Sequence, residues 1–359
     1  MRLRVIISAG VSGVLMAAIG SAAVAALGTG PVATGSAGPL VVTKGHAVKQ
    51  VAADRDRLVW ETGPLEGENT FTTLFERVLG GRGHVLVRNV KSSYGLALAA
   101  GWVVYADGGV RPRLSAIRPD GSGRIVLSRW LVAPIAARGR LVAWIEQSGK
   151  RQKVVVRDMS TGRVRLVSMP PRCGHGHCYK LERVSLADRG VVFTRDSTNP
   201  DLSWVFRIRF STHVLTRALI RGDPQPDLVP SSAGALYYVF GRGWYRWDFG
   251  ERPRGTSFRA NPPAPLLGYE HGRWLLATRR GCDFGVVALT PGGRRTVVAS
   301  PRRLKRLVRS RSRLCVVLQA AAWVGGQPLT AWALVPPESS AEHSDKGLFG
   351  IAFAGKLLN

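Results

Sequence analysis

The sequence predicts an all-β fold, a seven-bladed β-propeller of four-stranded antiparallel blades behind an N-terminal signal or anchor segment. Three observations predict it. From about residue 46 onward the chain is a succession of short β-rich runs between Gly, Pro, Asp and Arg clusters, with no long stretch of helical period. A short apolar signature, usually closed by an aromatic residue, recurs seven times. Hairpins with Asp and Gly at the turn follow several of these signatures. The expected organisation is a signal peptide or N-terminal membrane anchor over 1–27, a linker over 28–45 with a ring-closing strand near 39–43, and the propeller over 46–359.

The signatures are Leu58-Val59-Trp60, Val103-Val104-Tyr105, Val142-Ala143-Trp144, Val191-Val192-Phe193, Leu236-Tyr237-Tyr238, Leu275-Leu276-Ala277 and Ala321-Ala322-Trp323. Their third members lie 45, 39, 49, 45, 39 and 46 residues apart, a period with room for several strands per unit. A right-handed solenoid fits that irregular spacing poorly, and a pair of β-sandwiches gives no reason for seven copies. Each unit has two apolar faces that only its neighbours can bury, so the aromatic strand is expected between blades.

The hairpins supply the outer two strands. Val154 to Asp158 and Arg163 to Val167 flank Met159-Ser160-Thr161-Gly162, Leu114 to Leu127 enclose Pro119-Asp120-Gly121, and Val286 to Val298 enclose Pro291-Gly292-Gly293. With these residues in view, roughly residues 46–335 resemble the TolB-like and WD-repeat-like β-propellers. The Asp120-Gly121-Ser122-Gly123-Arg124 turn is similar to a TolB-type repeat turn, and Trp247-Asp248 stands where a WD-repeat carries its dipeptide. Most copies lack the Gly-His and Ser-Pro-Asp-Gly elements of those families, so the resemblance is to a distant member with no subfamily.

The N-terminus reads as an export segment. Arg2 and Arg4 precede an uncharged run from Val5 to Leu27, and Ala23-Val24-Ala25 offers a small-residue cleavage site. The 23 apolar residues would also span a membrane if uncleaved. In both cases the protein is expected outside the cytoplasm, secreted or anchored through residues 5–27. The four cysteines then pair by position, Cys173 with Cys178 and Cys282 with Cys315. His175 and His177 between the first pair leave a soft-metal site as the alternative there.

Of 359 residues, 51 are Lys or Arg and 23 are Asp or Glu, a formal net charge of +28. Only nine of the 51 are lysine, which leaves 42 arginines. Such a charge attracts anionic polymers and membranes. It is densest in Arg302-Arg303-Leu304-Lys305-Arg306-Leu307-Val308-Arg309-Ser310-Arg311-Ser312-Arg313, read as a loop between the sixth and seventh blades. Arg302, Arg303, Lys305, Arg306 and Arg309 are the candidate ligand-binding residues. Trp244, Tyr245 and Trp247 around Arg242 and Arg246 form either a stacking platform or ordinary blade packing.

Catalytic signatures are scarce. The chain has no G-x-S-x-G turn, no phosphate-binding G-x-x-x-x-G-K-[ST], no H-E-x-x-H and no EF-hand series. No catalytic residue, cofactor or firm metal site is therefore expected. The reading is a non-enzymatic binding module at the cell envelope, whose partner is an envelope protein or an anionic polymer or lipid surface rather than nucleic acid. The alternative is a lyase- or glycosidase-type propeller enzyme with Asp107, Glu146, Asp196 and Asp283 at the channel mouth.

Overall fold

The computed structural model describes most of residues 41–353, leaving aside 1–40, 64–70, 92–94, 169–179, 196–201, 222–227, 249–253, 256–265, 308–313, 336–347, 354–359 and shorter turn segments. The described strands form seven four-stranded antiparallel sheets. The second sheet shows the plan: Leu96–Ala99, Trp102–Asp107, Arg113–Ile117 and Ile125–Ser128 pair in chain order. The third repeats it with Ala136–Arg138, Leu141–Ser148, Arg151–Asp158 and Val164–Ser168.

The first strand of each sheet touches the first strands of the sheets before and after it, and the seventh returns to the first. First strands are therefore innermost. The last sheet departs from chain order, because Cys315–Val324, Gln327–Val335 and Leu348–Phe353 are completed at the outer edge by Val41–Lys44. The two ends of the described chain thus share one sheet, and the ring-closing strand expected near 39–43 is Val41–Lys44.

Burial explains the signatures. The second strand of each sheet is pressed between neighbours, so both faces are covered: Trp102–Asp107 is buried over four consecutive positions. Farther out one face meets water and the pattern alternates, as in Phe71–Val78 of the first sheet. Trp60, Tyr105, Trp144 and Phe193 all lie buried on second strands. The core is consequently a set of layers between sheets. One such layer joins Ala97, Val104 and Leu114 of the second sheet to Ile135, Val142 and Trp144 at the third.

The seventh signature is misplaced by sequence. Ala321-Ala322-Trp323 falls on the innermost strand Cys315–Val324, and the aromatic residue on the second strand is the fully buried Trp332. Inner strands of this sheet are also apolar, so a triplet there imitates the second-strand pattern.

The outer hairpins close as their residues predict. Asp120 Oδ1 accepts the Ser122 backbone N–H at 2.9 Å and its hydroxyl at 2.7 Å. These bonds hold the Asp120 carboxyl below its ordinary range. Asp158 and Ser160 repeat the arrangement at 3.0 and 2.6 Å. In both turns a glycine takes the left-handed conformation that a side chain would strain, Gly121 at φ +84° and Gly162 at φ +72°.

Candidate functional site

Antiparallel order puts two kinds of segment on the same side of the molecule: the connections between successive sheets, and the hairpins joining second to third strands. The basic segment lies on this face. It follows Arg295–Ala299, the outer strand of the sixth sheet, and its start is a helix over Pro301–Leu307 rather than a loop. Ser300 precedes the helix and its carbonyl accepts the Arg303 and Leu304 amides, each at 3.0 Å. Pro301 occupies the first helical position, where its missing N–H costs nothing.

Seven residues with basic side chains in the first turn and no acid there make a poor isolated helix. Tertiary contacts hold it. Leu304 is buried in the layer with Val316, Leu318 and Trp332. Lys305 Nζ lies 3.0 Å from Asp283 Oδ1, and the same oxygen accepts the Val316 amide at 2.8 Å. Immediately beside these two anchors, Cys282 and Cys315 form a disulfide that joins the sixth sheet to the seventh. Gly285 keeps the space beneath open: a Cβ there would sit 2.9 Å from the Ala299 carbonyl oxygen and 3.3 Å from Pro301 Cδ.

This separates the candidate residues. Arg302 and Arg306 are exposed on one side of the helix, with Arg306 Nε 3.4 Å from the Arg302 carbonyl. Arg303 is half-buried. Lys305 is occupied by Asp283, which sequence could not show because the two are 22 residues apart. Arg309 lies outside the described residues, as do Cys173, Cys178, His175, His177 and Asp196. The strand Gly243–Asp248 is described, but the side chains of Trp244, Tyr245 and Trp247 are not.

The three described acids of the enzymatic alternative stand on second and third strands, not on innermost ones. Asp107 ends a second strand and accepts the Lys91 amide at 3.1 Å. Glu146 accepts Trp144 Nε1 at 2.9 Å and pairs with Lys153 at 2.9 Å. Burial alone would raise its carboxyl, but the hydrogen bonds from Trp144, Lys153 and Ser128 outweigh that and hold it low. Asp283 begins a third strand and ties Lys305 and Val316. All three described acids are thus engaged in bonds that join strands or sheets. Among the described residues no group of three or more His, Cys, Asp or Glu is arranged to hold a metal ion.

Several arginines have a structural use. Arg118 stacks 4.0 Å from the Trp102 ring, Arg165 4.3 Å from Phe210 and Arg217 4.9 Å from Trp204. In these positions the guanidinium covers an aromatic face near the sheet edge and stays hydrated.

With the radial sheets and the closing strand in place, comparison with solved structures decides the fold. The chain matches the β-propeller domain of the Trilobed protease from Pyrococcus furiosus at TM-score 0.58 and 7% identity, over 88% of this chain and 99% of that one. The fold is a β-propeller. It is similar also to the Pyrococcus horikoshii acylaminoacyl peptidase, at TM-score 0.54 and 6% identity over 83% of this chain and 52% of that one. Puromycin hydrolase matches at TM-score 0.50 and 15% identity, over 88% and 53%. The propeller spans about half of each of these two enzymes, and identities this low carry the fold alone. No family model matches the chain, and no curated protein matches it. The Pyrococcus furiosus domain is described as having an open velcro topology, whereas in this propeller Val41–Lys44 pairs with Leu348–Phe353.

Proposed function

We propose that the chain is an exported seven-bladed propeller that acts as a non-enzymatic binding module at the cell envelope, holding an anionic polymer or lipid surface through Arg302, Arg303 and Arg306. Residues 1–27 direct it out of the cytoplasm, and Arg309 extends the basic site. The observation that carries the reading is a helix too short and too basic to stand alone, held by Leu304, Asp283 and the Cys282–Cys315 disulfide with Arg302 and Arg306 outward. The disulfide also suits an oxidising compartment. No helix among the described residues is long and apolar enough to cross a membrane.

An electrostatic site of this kind responds to salt, because screening shortens from ~10 Å at 0.1 M to ~3 Å at 1 M. Sedimentation with phosphatidylglycerol vesicles is expected to carry the protein down at 0.1 M salt and release it at 1 M, with little binding to phosphatidylcholine. Equal binding to both lipids, or binding indifferent to salt, contradicts the reading.

A further inference from the structure

The same face carries a second feature, at the other end of the chain. Among the described residues two aromatic side chains are exposed, Phe71 at 56% and Trp130 at 42%. Both lie on this face, and each has a cation over its ring: Lys91 at 5.9 Å from Phe71 and Arg111 at 5.2 Å from Trp130. Phe71 opens the third strand of the first sheet and pairs in register with Lys91 at the end of the fourth. Trp130 sits in the connection from the second sheet to the third.

One hairpin joins the two pairs. Lys91 donates its amide to Asp107 Oδ1 at 3.1 Å and accepts the Gly108 amide at 2.9 Å, while Pro112, next to Arg111, accepts the Leu131 amide at 2.7 Å. The five peptide steps from Asp107 to Pro112 limit these anchors to about 18 Å apart. The backbone around Trp130 is fixed on its other side too, since its carbonyl accepts the Gln147 amide at 3.0 Å and Val132 donates to Ile145 at 2.9 Å. Leu131 between them is buried. The chain therefore holds a partly exposed indole on a connection whose backbone is hydrogen-bonded on both sides. Exposed Arg113 and Arg129 flank it.

We propose that Phe71, Lys91, Arg111 and Trp130, with Arg113 and Arg129, form a binding strip for an acidic polysaccharide. A pyranose ring presents an apolar C–H face that complements the negative face of an aromatic ring. Carboxylates along a uronate chain then meet the cations beside each ring. Two rings separated along a strip suit a chain that turns a sugar face to each in succession. Single-stranded nucleic acid favours platforms where successive bases stack on several rings in a charged groove, whereas these two rings stand on different sheets, each beside its own cation. The strip goes beyond the Arg302–Arg306 reading, because it belongs to the first three sheets and that helix to the sixth and seventh.

Calorimetric titration of the full-length protein with an alginate hexasaccharide tests the strip. Binding is expected for the wild type, and Phe71→Ala with Trp130→Ala should weaken it at least about tenfold. Trp130→Phe, which keeps a ring, should hold affinity within about threefold, and so should Arg163→Ser with Arg294→Ser, two exposed residues of the opposite face. Both altered rings are exposed, so an unaltered melting curve verifies the fold of each variant. Wild-type affinity in the double alanine variant overturns the proposal. So does absence of alginate binding, equal affinity for neutral dextran, or tighter binding of oligothymidylate than of alginate.

Discussion

Replacing Trp144 by Ala is expected to destabilise the protein by about 3–5 kcal/mol, the usual cost of emptying a large aromatic site in a core. Trp144 is 2% exposed and packs in the layer between the second and third sheets with Val104, Leu114, Ile135 and Val155. Its indole N–H also donates to Glu146 at 2.9 Å, so the substitution removes a donor from a carboxylate that pairs with Lys153. Thermal or urea unfolding followed by circular dichroism reads the loss directly. A change below about 1 kcal/mol would mean that this second-strand aromatic is not what joins neighbouring sheets.

Replacing Cys282 and Cys315 together by Ser should cost about 3–4 kcal/mol in the loop-entropy model, since the bridge closes a separation of 33 residues. The effect should extend beyond the two sulfurs. Asp283 and Val316 are their immediate neighbours, and through them the bridge fixes Lys305 and the Pro301–Leu307 helix. Hydrogen exchange in the variant is expected to accelerate at the Val316 and Leu304 amides before it does at Val104 or Val142, which lie in a distant layer. Uniform acceleration across all four would show that the bridge stabilises the whole chain without a local role at the basic segment.

The parts of this fold that were legible in sequence are those where local chemistry and tertiary environment agree. Second strands are covered on both faces, so Leu58-Val59-Trp60 and Val191-Val192-Phe193 read as continuous apolar triplets. Asp120 makes its turn by its own carboxylate and Gly121 by its backbone freedom, and Cys282 and Cys315 pair by their positions in successive repeats. Where two environments share one pattern the reading fails, as with Ala321-Ala322-Trp323 on an inner strand and Trp332 behind a threonine and an alanine. The short helix was hidden because seven residues carry barely two turns of period. Ser300-Pro301 followed by Leu304 was the available signal. Asp283 looked like a free acid because its partners Lys305 and Val316 are brought to it by the fold alone. Trp130 could not be told from the buried tryptophans, since exposure depends on what the neighbouring connections cover.

The anion binding proposed for this propeller belongs to one face, not to its net charge at large. Two variants of equal charge separate these statements. In the first, Arg302, Arg303, Arg306 and Arg309 become Ser. In the second, the change is made at Arg82, Arg163, Arg189 and Arg294, exposed residues of hairpins on the opposite face. Both lose four positive charges, so long-range attraction falls alike, while close contact with a bound anion is lost only in the first. Binding to phosphatidylglycerol vesicles at 0.1 M salt is expected to drop at least about tenfold in the first variant and less than about threefold in the second. Equal losses in the two variants would contradict the account and leave net charge as the whole of the attraction.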